Sequence, residues 1–88
     1  MSLTDQIQNY VETMVEEKIY EKLGRDVDLD TMVDIACVAL NQLSPRYIRY
    51  AVDFVFYLSP EERTQLFDDV ENAVKEAIEY VKSHKRIV

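Results

Sequence analysis

Tryptophan is absent from this 88-residue chain, glycine, cysteine and histidine occur once each, and proline occurs twice. A single cysteine, Cys37, excludes an intramolecular disulfide and a thiolate zinc cluster, and suits a reducing compartment. A single glycine, Gly24, excludes the glycine-rich loops that cradle phosphates. With 48% of residues hydrophobic and 31% charged, disorder and low complexity are excluded away from the ends. No apolar run approaches the roughly 18 residues of a membrane span, and no basic-then-apolar segment opens the chain; a cytoplasmic protein without a membrane partner is expected. Positive charge is scarce too. Ten Lys and Arg against seventeen Asp and Glu leave a net charge of −7, which argues against binding a nucleic acid polymer. A small nucleotide needs only a few well-placed cations and stays within reach. The length fits one domain that buries about 60–65% of its unfolded surface, a thin core that a partner subunit would extend.

What is present is mostly helix. Ile7, Tyr10, Val11, Met14, Val15 and Ile19 recur at i, i+3, i+4, i+7 spacing, which predicts an amphipathic helix over residues 3–23 with Glu12, Glu16 and Glu17 in water. Ser2 and Asp5 have the spacing of a capping box, and Gly24 stands where a left-handed C-terminal cap belongs. The acidic link Arg25–Asp30 lacks the central glycine and late bidentate Glu of a calcium loop, so Asp28, Asp30 or Thr31 is read as the cap of the next helix. That second helix, residues 31–43, is apolar on almost every side and is expected at the centre of the fold. Cys37 lies within it, away from any histidine or base, and is read as packing rather than as a nucleophile. Asp34 favours the positive end of the helix dipole, and Ser44-Pro45 closes the segment. The third helix, residues 60–83, opens on Ser59-Pro60-Glu61-Glu62, a cap, a first-turn proline and a box-closing glutamate. Its stripe runs from Leu66 to Val81, and a basic tail, 84–88, leaves His84 as a solvated residue rather than a catalytic base.

Residues 44–58 differ from the rest. Residues 1–43 hold nine acidic side chains against three basic ones, whereas here Arg46 and Arg49 face Asp53 alone, so an anion is drawn to this segment. Ile48, Tyr50, Val52, Phe54, Phe56 and Leu58 alternate with Tyr47, Arg49, Ala51, Asp53, Val55 and Tyr57, a period-two pattern that favours an extended segment over 46–57. The competing reading is a helix opened by Ser44-Pro45, with Tyr47, Tyr50, Ala51, Phe54, Val55 and Leu58 inward. The fold class expected is therefore mainly α, with three amphipathic helices and one extended or β segment between the second and third. A lone strand among helices leaves a row of backbone groups unpaired, which predicts a homodimer whose two copies pair antiparallel about a two-fold axis. Such pairing gathers two sets of Arg46, Tyr47, Arg49 and Tyr50.

Asp34-Ile35-Ala36 followed by Ala39-Leu40-Asn41-Gln42-Leu43-Ser44-Pro45-Arg46-Tyr47 resembles the D-I/V-x-A-x-A-L-N-x-L-P-P-x-Y signature of the late-competence ComFB family of bacterial proteins. Asn9-Tyr10-Val11-Glu12 and the closing alanine- and valine-rich helix fit the same pattern, so the likeness covers most of residues 7–82. It implies a small, cytoplasmic, largely helical homodimer without catalytic activity, in some members a receptor for cyclic dinucleotides such as cyclic di-GMP. Some members hold zinc through cysteines around the first helix connection; residues 25–31 here contain none, so neither zinc nor another cofactor is expected. The ligand role maps onto the Pro45-Arg46-Tyr47 neighbourhood.

Guanidinium groups stack on purines and fork onto phosphates, and tyrosines stack and donate. The candidate ligand-binding residues are accordingly Arg46, Tyr47, Arg49 and Tyr50, with Arg25 and Arg63, each at a helix end, as secondary candidates. The leading expectation is a non-enzymatic regulator that binds a cyclic dinucleotide and passes the signal to another protein. Its rival is a ComFB-type adaptor whose acidic helical surface docks a basic or apolar partner without any small ligand. Accessible arginines favour the first; arginines consumed in salt bridges favour the second. An enzyme fits worst, because Cys37 and His84 lie far apart in sequence and the pairs Glu16-Glu17 and Glu61-Glu62 occupy solvated helix positions.

Overall fold

Asn9 accepts a hydrogen bond from the Val11 N–H at 3.2 Å through its side-chain oxygen, and helix α1, Tyr10–Leu23, starts there in a computed structural model that describes residues 2–84. The helix expected from residue 3 thus begins seven residues later. Asp5 does accept the Ser2 N–H at 3.1 Å, but this cap closes only a 3-10 turn, Leu3–Gln6, because Gln8–Asn9 is drawn off into a strand. Gly24 ends α1 at φ 73°, a left-handed torsion that glycine adopts without strain. Asp28 caps α2, Leu29–Leu40, accepting the Thr31 N–H at 3.0 Å and the Thr31 hydroxyl at 2.8 Å. Expected to Leu43, α2 stops at Leu40, where the Asn41 side-chain amide donates to the Cys37 carbonyl at 3.0 Å and the chain turns. The last helix, α4, runs Pro60–Ser83 as expected, with the Ser59 Oγ accepting the Glu62 N–H at 3.1 Å and the Glu62 carboxylate accepting the Ser59 N–H at 3.3 Å. Of the expected basic tail, only His84 falls within the described residues; it is exposed, its ring stacked on Tyr80 with centroids 4.2 Å apart.

The mainly helical class holds, with a short two-stranded sheet whose second strand separates α2 from the last two helices. The extended segment, however, is far shorter than 46–57. Strand β2 is Tyr47–Ile48 alone, paired antiparallel with β1, Gln8–Asn9, so that Gln8 faces Ile48 and Asn9 faces Tyr47. A turn follows, in which the Asp53 carboxylate accepts the Tyr50 N–H at 3.2 Å and the Tyr50 carbonyl accepts the Asp53 N–H at 2.9 Å; it launches a short helix α3, Asp53–Tyr57. The period-two face breaks accordingly: Ile48 and Phe54 are buried, while Val52 and Phe56 stand in solvent. Because β2 finds its partner within the chain, an unpaired strand no longer argues for a dimer.

The core is a three-helix packing. Val11, Met14, Val15 and Ile19 of α1 meet Met32, Ile35 and Ala39 of α2 and the Leu66–Ile78 stripe of α4, and Ile48 and Phe54 close one end. The ring of Phe54 lies 4.5 Å from that of Tyr10 and 6.5 Å, edge on, from that of Phe67. Helix α2 is less central than its composition suggests: Leu29 and Val33 are exposed, and so is Cys37, which was expected in the packing. A two-sided groove is all that α1 and α4 offer it. Among the described residues, no helix is long and apolar enough to cross a membrane.

Lys18 and Lys22 of α1 clasp Glu71 of α4, Lys18 at 3.1 Å while also bonding Glu21 at 2.8 Å. Hydrogen bonds from Lys22 and then Lys18 hold the Glu71 carboxyl below its ordinary 4.5, and the Thr31 hydroxyl and N–H hold Asp28 below 3.8. Glu21, then Glu71, raises Lys18 above 10.5. A lowered carboxyl stabilises the fold above its unfolded value and loses that effect as pH falls through the folded value; a raised lysine stabilises below its unfolded value and loses it as pH rises. Melting temperature is therefore expected to be level around neutrality and to fall at acid pH, and Glu71→Gln should reduce the difference between melts near neutrality and at about pH 3.

Candidate ligand-binding surface

Pro45 has no N–H and keeps Ser44 out of helical torsions, so the chain leaves α2 extended. The side-chain oxygen of Asn9, already capping α1, also accepts the Arg46 N–H at 2.8 Å, and the Arg46 carbonyl accepts the Tyr10 N–H at 2.7 Å. One amide thus fixes the start of α1 and the backbone of residue 46 together. Ile48 then plugs into the core, and Arg46, Tyr47, Arg49 and Tyr50 are left exposed around it. The Arg49 guanidinium lies 5.1 Å from the centroid of the Tyr50 ring. Among the described residues neither Arg46 nor Arg49 pairs with a carboxylate, whereas Lys18 and Lys22 do.

Arg46 also lines an open groove of about 390 Å³ between the α2–β2 connection and α4, together with Gln42, Leu43, Ser44, Leu66, Asp69, Asn72, Ala73 and Glu76. Leu66, Asp69, Ala73 and Glu76 repeat at helical spacing, so α4 turns the two carboxylates toward the wall that carries Arg46. Sequence reasoning passed over Asp69, Asn72 and Glu76 because they lie on α4, twenty or more residues from Arg46 and Arg49. Their only local signal was their three- and four-residue spacing along one flank of the apolar stripe. Arg63 is half-buried one helical turn before Leu66, near the end of this groove. Arg25 is not brought to it. Its guanidinium lies over the Tyr20 ring, 4.4 Å from the centroid, past the C-terminus of α1, and at 1.5 Å per residue that is about 20 Å from the Asn9 end.

A second groove, about 540 Å³, separates α2 from the end of α4, and both Cys37 and His84 line it. No hydrogen bond joins them: Cys37 Sγ meets the Asn41 amide at 3.8 Å, and His84 Nδ1 faces the Tyr80 carbonyl at 3.0 Å. Among the described residues, no group of three or more His, Cys, Asp or Glu side chains is placed to hold a metal ion. The α1–α2 connection carries no cysteine, so a zinc site there does not fit this chain.

Asn9→Ala removes both bonds of the clamp. It is expected to lower unfolding free energy by about 1–2 kcal/mol, the range for a lost helix cap, read from urea denaturation.

Fold and surface define a small, mainly helical protein with an exposed face of arginines and tyrosines. Its sequence matches the family described as late competence development protein ComFB over residues 8–85. The chain belongs to that family, which suggests a competence-related regulatory protein. No curated protein and no solved structure matched it.

Proposed function

We propose that this ComFB protein is a non-enzymatic cytoplasmic regulator that binds a cyclic dinucleotide, cyclic di-GMP first among them, at a homodimer. The observation that carries the reading is the exposure of Arg46, Tyr47, Arg49 and Tyr50 with neither arginine ion-paired among the described residues, in a chain of net charge −7. Seventeen carboxylates surround the fold, yet these two guanidinium groups stay open to an incoming anion. Arginines fork onto phosphates and the tyrosine faces stack on purines. Asp69 and Glu76, beside Arg46, are acceptors suited to the N–H donors on a guanine edge, which supports cyclic di-GMP over cyclic di-AMP.

Support for the homodimer comes from exposed apolar surface. Tyr47, Val52, Phe56 and Tyr57 are all more than half exposed, on the least acidic stretch of the chain, where two copies of a −7 protein meet least repulsion. Light scattering is expected to show a dimer at micromolar concentration, and Val52→Asp, at an exposed position, a folded monomer. A wild-type monomer would remove the dimer from the reading.

Thermal melting tests the ligand. At a hundredfold excess over Kd, binding to the folded state adds about 2.7 kcal/mol, which raises the melting temperature of a chain this size by roughly 10–20 °C. Cyclic di-GMP is expected to produce that shift and cyclic di-AMP a smaller one. No shift with either at high micromolar concentration leaves the adaptor reading in place.

A further inference from the structure

We propose that the outer groove between α1 and α2 docks a basic amphipathic helix of a partner protein. Leu29, Val33, Ala36 and Leu40 share one side of α2 at i, i+4, i+7 and i+11 spacing. Leu29 is 71% and Val33 55% exposed, with Ala36 and Leu40 half-buried beside them. A helix that is apolar nearly all round belongs in an interior, but α1 and α4 cover only the side that holds Met32, Ile35 and Ala39. Val33, Ala36 and Leu40 line an open groove of about 190 Å³, and α1 supplies its other wall.

Charge identifies the occupant. Glu12 and Glu16, exposed and one turn apart, form the α1 rim, and none of the residues lining the groove is basic. Asp30, exposed, flanks the stripe from the far side, about 100° around α2 from Leu29. A second copy of this chain would set the same carboxylates against each other. A helix with apolar side chains at i, i+3, i+4 and i+7 and Lys or Arg on both flanks meets the apolar floor and both acidic rims at once. This surface gives the proposed receptor a place to pass its signal, yet the experiment contains no nucleotide, so either reading can fail alone.

The full chain is titrated with two fluorescent synthetic peptides of about 18 residues, each with leucine at helical spacing and all other positions either lysine or glutamate. The Leu/Lys peptide is expected to bind and the Leu/Glu peptide not to. Val33→Asp should weaken the Leu/Lys peptide about tenfold or more, as loss of a central apolar contact does. Glu12→Gln with Glu16→Gln should weaken it about threefold and reduce its salt dependence. Glu61→Gln with Asp68→Gln, on α4 and outside the lining of this groove, should leave it unchanged. If the α4 variant weakens binding as much as the α1 variant, the attraction is general and the proposal fails. It fails equally if the Leu/Glu peptide binds as well, or if Val33→Asp lowers the sedimentation mass of the free chain, which assigns the groove to a second copy. Should Val33→Asp not fold by circular dichroism, the two glutamine pairs, at exposed positions, decide the matter.

Discussion

Phe54→Asp is expected to unfold the chain at room temperature, whereas Val52→Asp, two residues away, should leave it folded with its helical content intact. Phe54 is 7% exposed and packs its ring against those of Tyr10 and Phe67, closing one end of the three-helix core; Val52 is 58% exposed. Truncating a buried phenylalanine costs about 3–5 kcal/mol, and a carboxylate in its place adds the penalty of an unpaired charge in an apolar pocket. Small domains carry about 5 kcal/mol or little more in total, so the sum exceeds what the fold can bear. Far-ultraviolet circular dichroism reads both variants. The contrast separates the observed turn and short helix from a continuous strand, which would place both side chains on one face and make both substitutions harmful.

The second large effect falls on ligand binding. Arg46→Ala and Arg49→Ala should each weaken cyclic di-GMP by about 1.5–3 kcal/mol, the value of a charge-assisted hydrogen bond, and the double variant should bind too weakly to detect. Stability should hardly change, since both side chains are exposed and the Asn9 clamp grips the backbone of residue 46 rather than its side chain. Affinity for the wild type should fall with added salt, as fixed cations reading two phosphates require. Arg25→Ala should have no effect, because that residue lies over Tyr20 at the other end of α1. Arg63→Ala, near the groove's end, should have a smaller effect than Arg46→Ala.

Legibility in the sequence followed the range of the interactions. Helix α4 was readable to the residue because Ser59, Pro60 and Glu62 act within one turn and its apolar stripe runs for about four turns. The start of α1 was misplaced because two residues have the right chemistry to cap: Ser2 closes a turn on its own, but only Asn9 also has a long-range partner, Arg46. Residues 46–57 misled for the opposite reason. Their alternation of large side chains is real, yet the strand ends with its two-residue partner, and the Tyr50–Asp53 turn then rotates the chain into α3. The signal for that turn, an aspartate three residues after Tyr50, was present and was outweighed by β-branched and aromatic composition. Arg46, Tyr47, Arg49 and Tyr50 emerged from the sequence because they are neighbours in it. The carboxylates opposite them did not, since only the packing of α4 against the α2–β2 connection brings Asp69 and Glu76 to Arg46.

Isothermal calorimetry with cyclic di-GMP on the wild type and on the Arg46→Ala, Arg49→Ala double variant tests the receptor reading most directly. The expected result is saturable heat for the wild type and none for a double variant with the same melting temperature. Heat of equal size and affinity from both proteins, or none from the wild type at high micromolar nucleotide, would contradict the assignment of this surface as a cyclic dinucleotide site.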